Sequence, residues 1–95
     1  MYEIEIEVDN ALPFLHSLSD KSQRIVKEHM VRLKENPYQG EGGDKERLII
    51  DGYAVYRMHV GRSYTVFYKI FEKPEQKVHV YAIMTIEEAH KYYGR

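Results

Sequence analysis

The segment Tyr53–Phe71, YAVYRMHVGRSYTVFYKIF, leaves this chain few folds to choose from. Apolar and polar residues alternate with period two on both sides of Gly61-Arg62, the pattern of two antiparallel strands joined by a tight turn. In strand register Ala54, Tyr56, Met58 and Val60 fall on one side of the first strand, and Tyr53, Val55, Arg57 and His59 on the other. The second strand divides likewise. Tyr64, Val66, Tyr68 and Ile70 make its apolar side, while Ser63, Thr65, Phe67, Lys69 and Phe71 lie on the side shared with Arg57 and His59. Such a hairpin buries one face in a core and leaves a cationic, histidine-bearing face that can meet a polyanion.

The flanking residues supply what this hairpin packs against. MYEIEIEVDN alternates apolar residues with glutamates and reads as an opening strand. Asn10 is placed to cap a short helix, Ala11 to Leu18, in which Pro13 is tolerated because it lies in the first turn. Ser19 or Asp20 opens a second helix, and Asp20 and Gln23 have the spacing of a capping box. Ile25, Val26, His29, Met30 and Leu33 recur at helical spacing as its buried stripe, and Asn36-Pro37 stops it. Residues 38–44, YQGEGGD, read as a flexible connection.

A strand from Arg47 to Ile50 then turns at Asp51-Gly52, a pair that accepts positive φ. After the hairpin, Lys73-Pro74-Glu75 turns the chain into a last strand, Lys77 to Met84, with Val78, Val80, Ala82 and Met84 expected to face inward. Thr85 is positioned to cap a short terminal helix that has Glu87 and Glu88 at its start and His90 and Lys91 near its end. The order β-α-α-β-β-β-β-α predicts an α+β fold: two N-terminal helices packed on one face of a mostly antiparallel, twisted sheet of about five strands, followed by a short C-terminal helix. Ninety-five residues suit one domain, 1–95.

Composition narrows the function. Cysteine is absent, so neither a disulfide framework nor a thiolate zinc site is available. His59 and His79 share a face but lie on strands separated by a third, so no metal or other cofactor is expected. The N-terminus lacks the basic-then-apolar pattern of a signal peptide and no apolar run reaches membrane-spanning length, so a cytoplasmic protein with no membrane partner is expected. The net charge of −1 conceals an asymmetry. Glu3, Glu5, Glu7 and Asp9 make the first strand acidic, whereas residues 45–71 hold Lys45, Arg47, Arg57, Arg62 and Lys69 against Glu46 and Asp51.

Four features together resemble the RelE/ParE superfamily of bacterial and archaeal toxins across essentially the whole chain. They are the opening strand, the helical pair ending in Lys34-Glu35-Asn36-Pro37, the Tyr56-Arg57-Met58-His59-Val60-Gly61 segment, and Tyr64-Thr65-Val66-Phe67-Tyr68. The resemblance implies a toxin of a type II toxin–antitoxin pair, restrained by a cognate antitoxin protein. RelE-like members enter the ribosome and cut mRNA without a metal, blocking translation; ParE-like members poison DNA gyrase.

Metal-independent RNA cleavage needs cations around a phosphate gaining charge, plus an acid and a base. Carried over by position, the resemblance points to Arg57 and His59, and to Tyr92 or Tyr93, as catalytic candidates; Arg62 on the turn is a further catalytic candidate as a substitute cation, and Lys69 and His79 on the same face and Lys91 on the tail helix are further contacts to substrate. The chain departs from the family pattern at two places, where Thr65 and Thr85 stand for usual arginines. Losing one preorganised charge stabiliser typically costs on the order of 10² to 10³ in rate. The sequence therefore leaves three readings: a ribosome-dependent mRNA endoribonuclease, a gyrase inhibitor, or a catalytically weakened relative that only binds its antitoxin.

Overall fold

The Asp51-Gly52 turn sets the frame of the sheet. Both residues have positive φ, 53° and 83°, the conformation a two-residue hairpin turn with matching twist requires. It joins β2 (Lys45–Ile50) to β3 (Tyr53–Val60), and the Gly61–Ser63 turn, with Gly61 at φ 59°, joins β3 to β4 (Tyr64–Phe71). In this computed structural model, which describes residues 1–38 and 44–93 and not the Tyr93 side chain, the remaining elements are β1 (Glu3–Ile6), α1 (Ala11–Ser17), α2 (Asp20–Arg32), β5 (Lys77–Thr85) and α3 (Ile86–Tyr93). Most of the connection at 38–44 lies outside the described residues.

The five strands form one sheet in the order β1-β5-β4-β3-β2. Strands β2 to β5 run as an antiparallel meander, and β1 closes the far edge parallel to β5, pairing Glu3 to Ile6 with Lys77 to Val80. Its exposed glutamates Glu3 and Glu5 blunt that edge against further strand pairing. The α+β architecture expected from the sequence is the one found. No helix among the described residues is long and apolar enough to cross a membrane.

Helices α1 and α2 cover one face. Leu15, Val26, Met30 and Leu33 meet Tyr56, Met58, Val60, Val66 and Tyr68 in one buried cluster, the pattern that strand alternation and the α2 stripe predict. Tyr56 and Tyr68 stack at 5.6 Å, and the buried Tyr68 hydroxyl donates to the carbonyl of Pro37 at 2.7 Å, tying the helix exit to the sheet.

Two helix starts differ from expectation. Asn10 makes no side-chain cap for α1; the Glu7 carboxylate accepts from the backbone N–H of Asp9, Asn10 and Ala11 instead, satisfying donors that a shorter side chain would serve singly. For α2 the cap is Ser19, which accepts from the N–H of Ser22, so the Asp20–Gln23 capping box does not form. The Gln23 side chain turns back to donate to the carbonyls of Leu18 and His16, closing the corner between the two helices.

The larger correction concerns β5. The β4–β5 register slips between Phe67 and Tyr68, so that Phe67 opposes Ala82 while Tyr68 opposes Val80. Tyr81 is the extra residue of a β-bulge, which reverses the facing of everything after it. Ile83 consequently enters the core beside Val78 and Val80, and Ala82 and Met84, expected inside, pair with the opposite face.

That opposite face is not simply solvated. Val55, Thr65 and Phe67 are buried on it. Helix α3 lies on this side, with Ala89 buried and the edge of the Tyr92 ring set against Phe67 at 5.2 Å.

Candidate functional site

Strand pairing lines up side chains of alternate residues across the outer face. One row reads Glu46, Arg57, Phe67, Ala82, and the next reads His59, Thr65, Met84. The rows are about 7 Å apart, two residues of strand rise. Arg57 donates to the Glu46 carboxylate. The pair is asymmetric in exposure, 17% for the Arg57 side chain and 46% for Glu46, so the guanidinium is held nearly fixed while the carboxylate stays open to a partner or solvent.

His59 sits beside this pair. Its Nδ1 is 3.4 Å from the hydroxyl of the fully buried Thr65, and its backbone N–H donates to the carbonyl of Asp44 at 3.1 Å. Burial lowers its pKa below the usual histidine value, the positive charge of Arg57 adds to that and His90 on α3 contributes in the same sense, while Glu46 opposes them. The outcome is a predominantly neutral imidazole near pH 7, next to a fixed cation and an accessible carboxylate. These are the groups that a proton transfer and a developing negative charge require.

The residues singled out in the sequence fall into two groups. Arg57 and His59 come together with Thr65; Arg62 is exposed on the Gly61–Ser63 turn at the same end of the sheet, where the N–H of Ile86 donates to the carbonyl of Ser63 and starts α3 beside it. Tyr92 approaches the row from above, its ring on Phe67 and its hydroxyl 3.4 Å from that of Tyr81. The side chain of Tyr93 lies outside the description, and Lys91 is exposed on α3. Lys69 and His79 pair with each other in register farther along the sheet, Lys69 between the Tyr53 and Tyr81 rings and His79 on the Glu5 carboxylate at 2.7 Å.

Thr85, at the second departure from the family pattern, has another task. Its hydroxyl accepts from the N–H of Glu88, whose carboxylate accepts from the Thr85 N–H and hydroxyl, a reciprocal cap for α3. Two groups at the site, Glu46 and His90, are absent from the candidates read off the sequence. Glu46 was within reach: a two-residue turn at Asp51-Gly52 pairs Ile50 with Tyr53, and counting back along both strands puts Glu46 opposite Arg57. His90 carries no local signal, because its position depends on which face of the sheet α3 occupies.

Comparison with known proteins adds the context. Residues 14–89 match the family described as the ParE toxin of type II toxin-antitoxin system, parDE. No curated protein sequence matches significantly. Among solved structures, the archaeal RelE of the RelE–RelB complex from Pyrococcus horikoshii OT3 superposes with a TM-score of 0.72 at 24% identity, over 88% of this chain and 93% of that one. The YoeB/ParE toxin from Agrobacterium tumefaciens gives 0.69 at 13% identity, over 87% and 96%. YafQ from Escherichia coli strain BL21(DE3) gives 0.66 at 15%, over 94% and 98%. At these identities the likenesses speak for the fold, and the family match speaks for kinship.

Proposed function

This chain belongs to the ParE toxin family of type II toxin–antitoxin systems, within the RelE/ParE superfamily, and we propose that it acts as a ribosome-dependent mRNA endoribonuclease restrained by a cognate antitoxin. The observation that carries this reading is the grouping of Arg57, Glu46 and His59 on the outer face, the side of the sheet on which α3 lies. In RNA the neighbouring 2′-hydroxyl is the nucleophile, so the protein has no covalent chemistry of its own to perform. It must take a proton from that hydroxyl, stabilise a phosphorane-like charge and protonate the leaving 5′-oxygen. Neutral His59 or the open Glu46 carboxylate suits the base role, and Arg57 suits the charge. Arg62 adds a cation on the adjacent turn, Tyr92 supplies a ring or hydroxyl near the substrate, and Lys69, His79 and Lys91 extend contact to flanking phosphates.

For a phosphate to reach Arg57 it must share or displace Glu46. That exchange is compatible with an exposed carboxylate, which returns to water at little cost. The test is expression of the protein without antitoxin in a bacterial host, with mapping of mRNA ends on ribosomes. Cuts linked to codon position and growth arrest are expected with wild type and not with Arg57→Ala; intact mRNA with the wild-type protein would reject the nuclease.

A second reading is favoured by two residues. Thr65 is wholly buried and Thr85 is spent on capping α3, so neither place supplies the positive charge common in the nuclease branch. A gyrase inhibitor needs a docking surface rather than a charge-stabilising site. Accumulation of cleaved DNA–gyrase complexes, with mRNA intact, would select it.

A further inference from the structure

Away from the Arg57 row, the outer face carries two large rings that the fold leaves uncovered. Tyr53 is 67% exposed and Phe71 is 45% exposed. Between Tyr53 and Tyr81 the Lys69 ammonium is held by cation–π contacts, 5.6 Å from one ring centroid and 5.7 Å from the other. Beside it opens a groove of about 400 Å³ whose lining includes Lys69, Phe71, Lys73, Lys77 and His79. Two carboxylates also line it, but Glu5 is already engaged by His79 at 2.7 Å and Lys77 at 3.8 Å.

We propose that this aromatic and cationic strip is a binding subsite for single-stranded RNA, continuous with the Arg57 row and engaging unpaired nucleotides that flank it. The inference rests on the nuclease reading and names the part of the substrate that this end of the sheet holds. Three observations favour an RNA strand over other occupants. Exposed rings present π-faces that stack on any base, which a duplex withholds and a single strand offers. With the Glu5–Lys77–His79 cluster set aside, Lys69 and Lys73 stand against one carboxylate, Glu75, and Lys69 is held between rings, so a phosphate and a base are served side by side. The strip also lies on β4 in line with the site: from Phe67, opposite Arg57, to Phe71 is four residues on one face, about 13 Å of strand. A few nucleotides of an extended chain bridge that interval.

The experiment is fluorescence anisotropy of the full chain with a labelled, unstructured oligoribonucleotide at low salt. Comparison is made with the Tyr53→Ala/Phe71→Ala double variant, Lys69→Met, and an RNA duplex of equal length. Loss of both exposed rings is expected to weaken single-strand binding at least tenfold with an unchanged melting curve, and Lys69→Met to reduce the salt slope by about 0.7. Wild-type protein is expected to prefer the single strand over the duplex. Undiminished binding by the double variant, equal binding of the duplex, or no measurable binding by wild type would overturn the proposal. So would a double variant that binds RNA normally but has lost affinity for the antitoxin, which would assign the rings to a protein partner.

Ribosome cleavage by the same variants separates the two readings. Ring-dependent oligonucleotide binding without wild-type cleavage keeps the subsite and removes the nuclease; wild-type cleavage indifferent to Tyr53 and Phe71 keeps the nuclease and removes the subsite.

Discussion

At the scale of single residues, the site depends on how three ionisable groups divide their charge. Arg57 brings the guanidinium that Glu46 holds. His59 is pushed toward its neutral form by burial, with Arg57 adding to the effect. Its NMR titration midpoint is therefore expected below the ordinary value of 6.5, and a midpoint above that value would mean that Glu46, not burial, dominates its surroundings. The linkage has a definite sign. As pH falls through about 6.5 the unfolded chain takes up a proton that folded His59 resists, so this residue erodes stability on acidification down to its lowered pKa. His59→Gln is expected to flatten that part of the stability profile, as read by urea melts across the range. Arg57→Ala is expected to lower cleavage by about 10² or more and also to lower Tm, because the side chain it truncates is mostly buried even though the Glu46 carboxylate it releases is half in water.

At the scale of elements, the β-bulge at Tyr81 decides what the end of β5 does. Simple alternation from Val78 and Val80 puts Ala82 and Met84 in the core; the inserted residue sends Ile83 there instead. Ile83→Ala should then cost about 3 kcal/mol of folding stability, and Met84→Ala about 1 kcal/mol or less. The reverse order in chemical denaturation would refute the register. Helix α1 has a comparable dependence on Glu7, whose carboxyl is held below the usual carboxylate range chiefly by the Ala11 N–H, with Asn10 and Asp9 adding to it. A depressed carboxyl stabilises the fold above its unfolded pKa and ceases to do so as pH falls through the folded one. Glu7→Ala should lower Tm at neutral pH, with the gap to wild type closing in strong acid; a gap of constant size would point to lost packing instead.

Some features of these elements follow from local sequence and others only from assembly. The hairpin faces of β3 and β4 were legible because period-two alternation is a local property, and Asp51-Gly52 was legible because few pairs accept two positive φ values. The bulge was not, since Tyr81, Ala82, Ile83 and Met84 are all apolar enough for either face and only the pairing with β4 distinguishes them. Capping by Glu7 rather than Asn10 was hidden for a related reason: a carboxylate three or four residues upstream reaches the helix only after the chain has turned. Arg57 and His59 could be placed on one face from the strand pattern. Their partners Glu46, Thr65 and His90 come from three other elements, and the burial that sets the His59 pKa depends on how those elements assemble.

At the scale of the whole molecule, the sheet separates two layers with different tasks. One side is closed by α1 and α2 into a conventional core. The other is only partly covered by α3, leaving a margin with Arg57, Glu46 and His59 at one end and the exposed rings of Tyr53 and Phe71 at the other. This member of the ParE toxin family thus has one closed and one partly open face to its sheet. On the proposed mechanism, the Arg57 end of this surface cuts RNA through the substrate's own 2′-hydroxyl. The most direct test is the chemistry of the cut end on mRNA held in a ribosome with purified protein. Wild type is expected to leave a 2′,3′-cyclic phosphate, Arg57→Ala to leave none, and no cut to form where the preceding nucleotide is 2′-deoxy; cleavage that persists at the deoxy position would refute the mechanism.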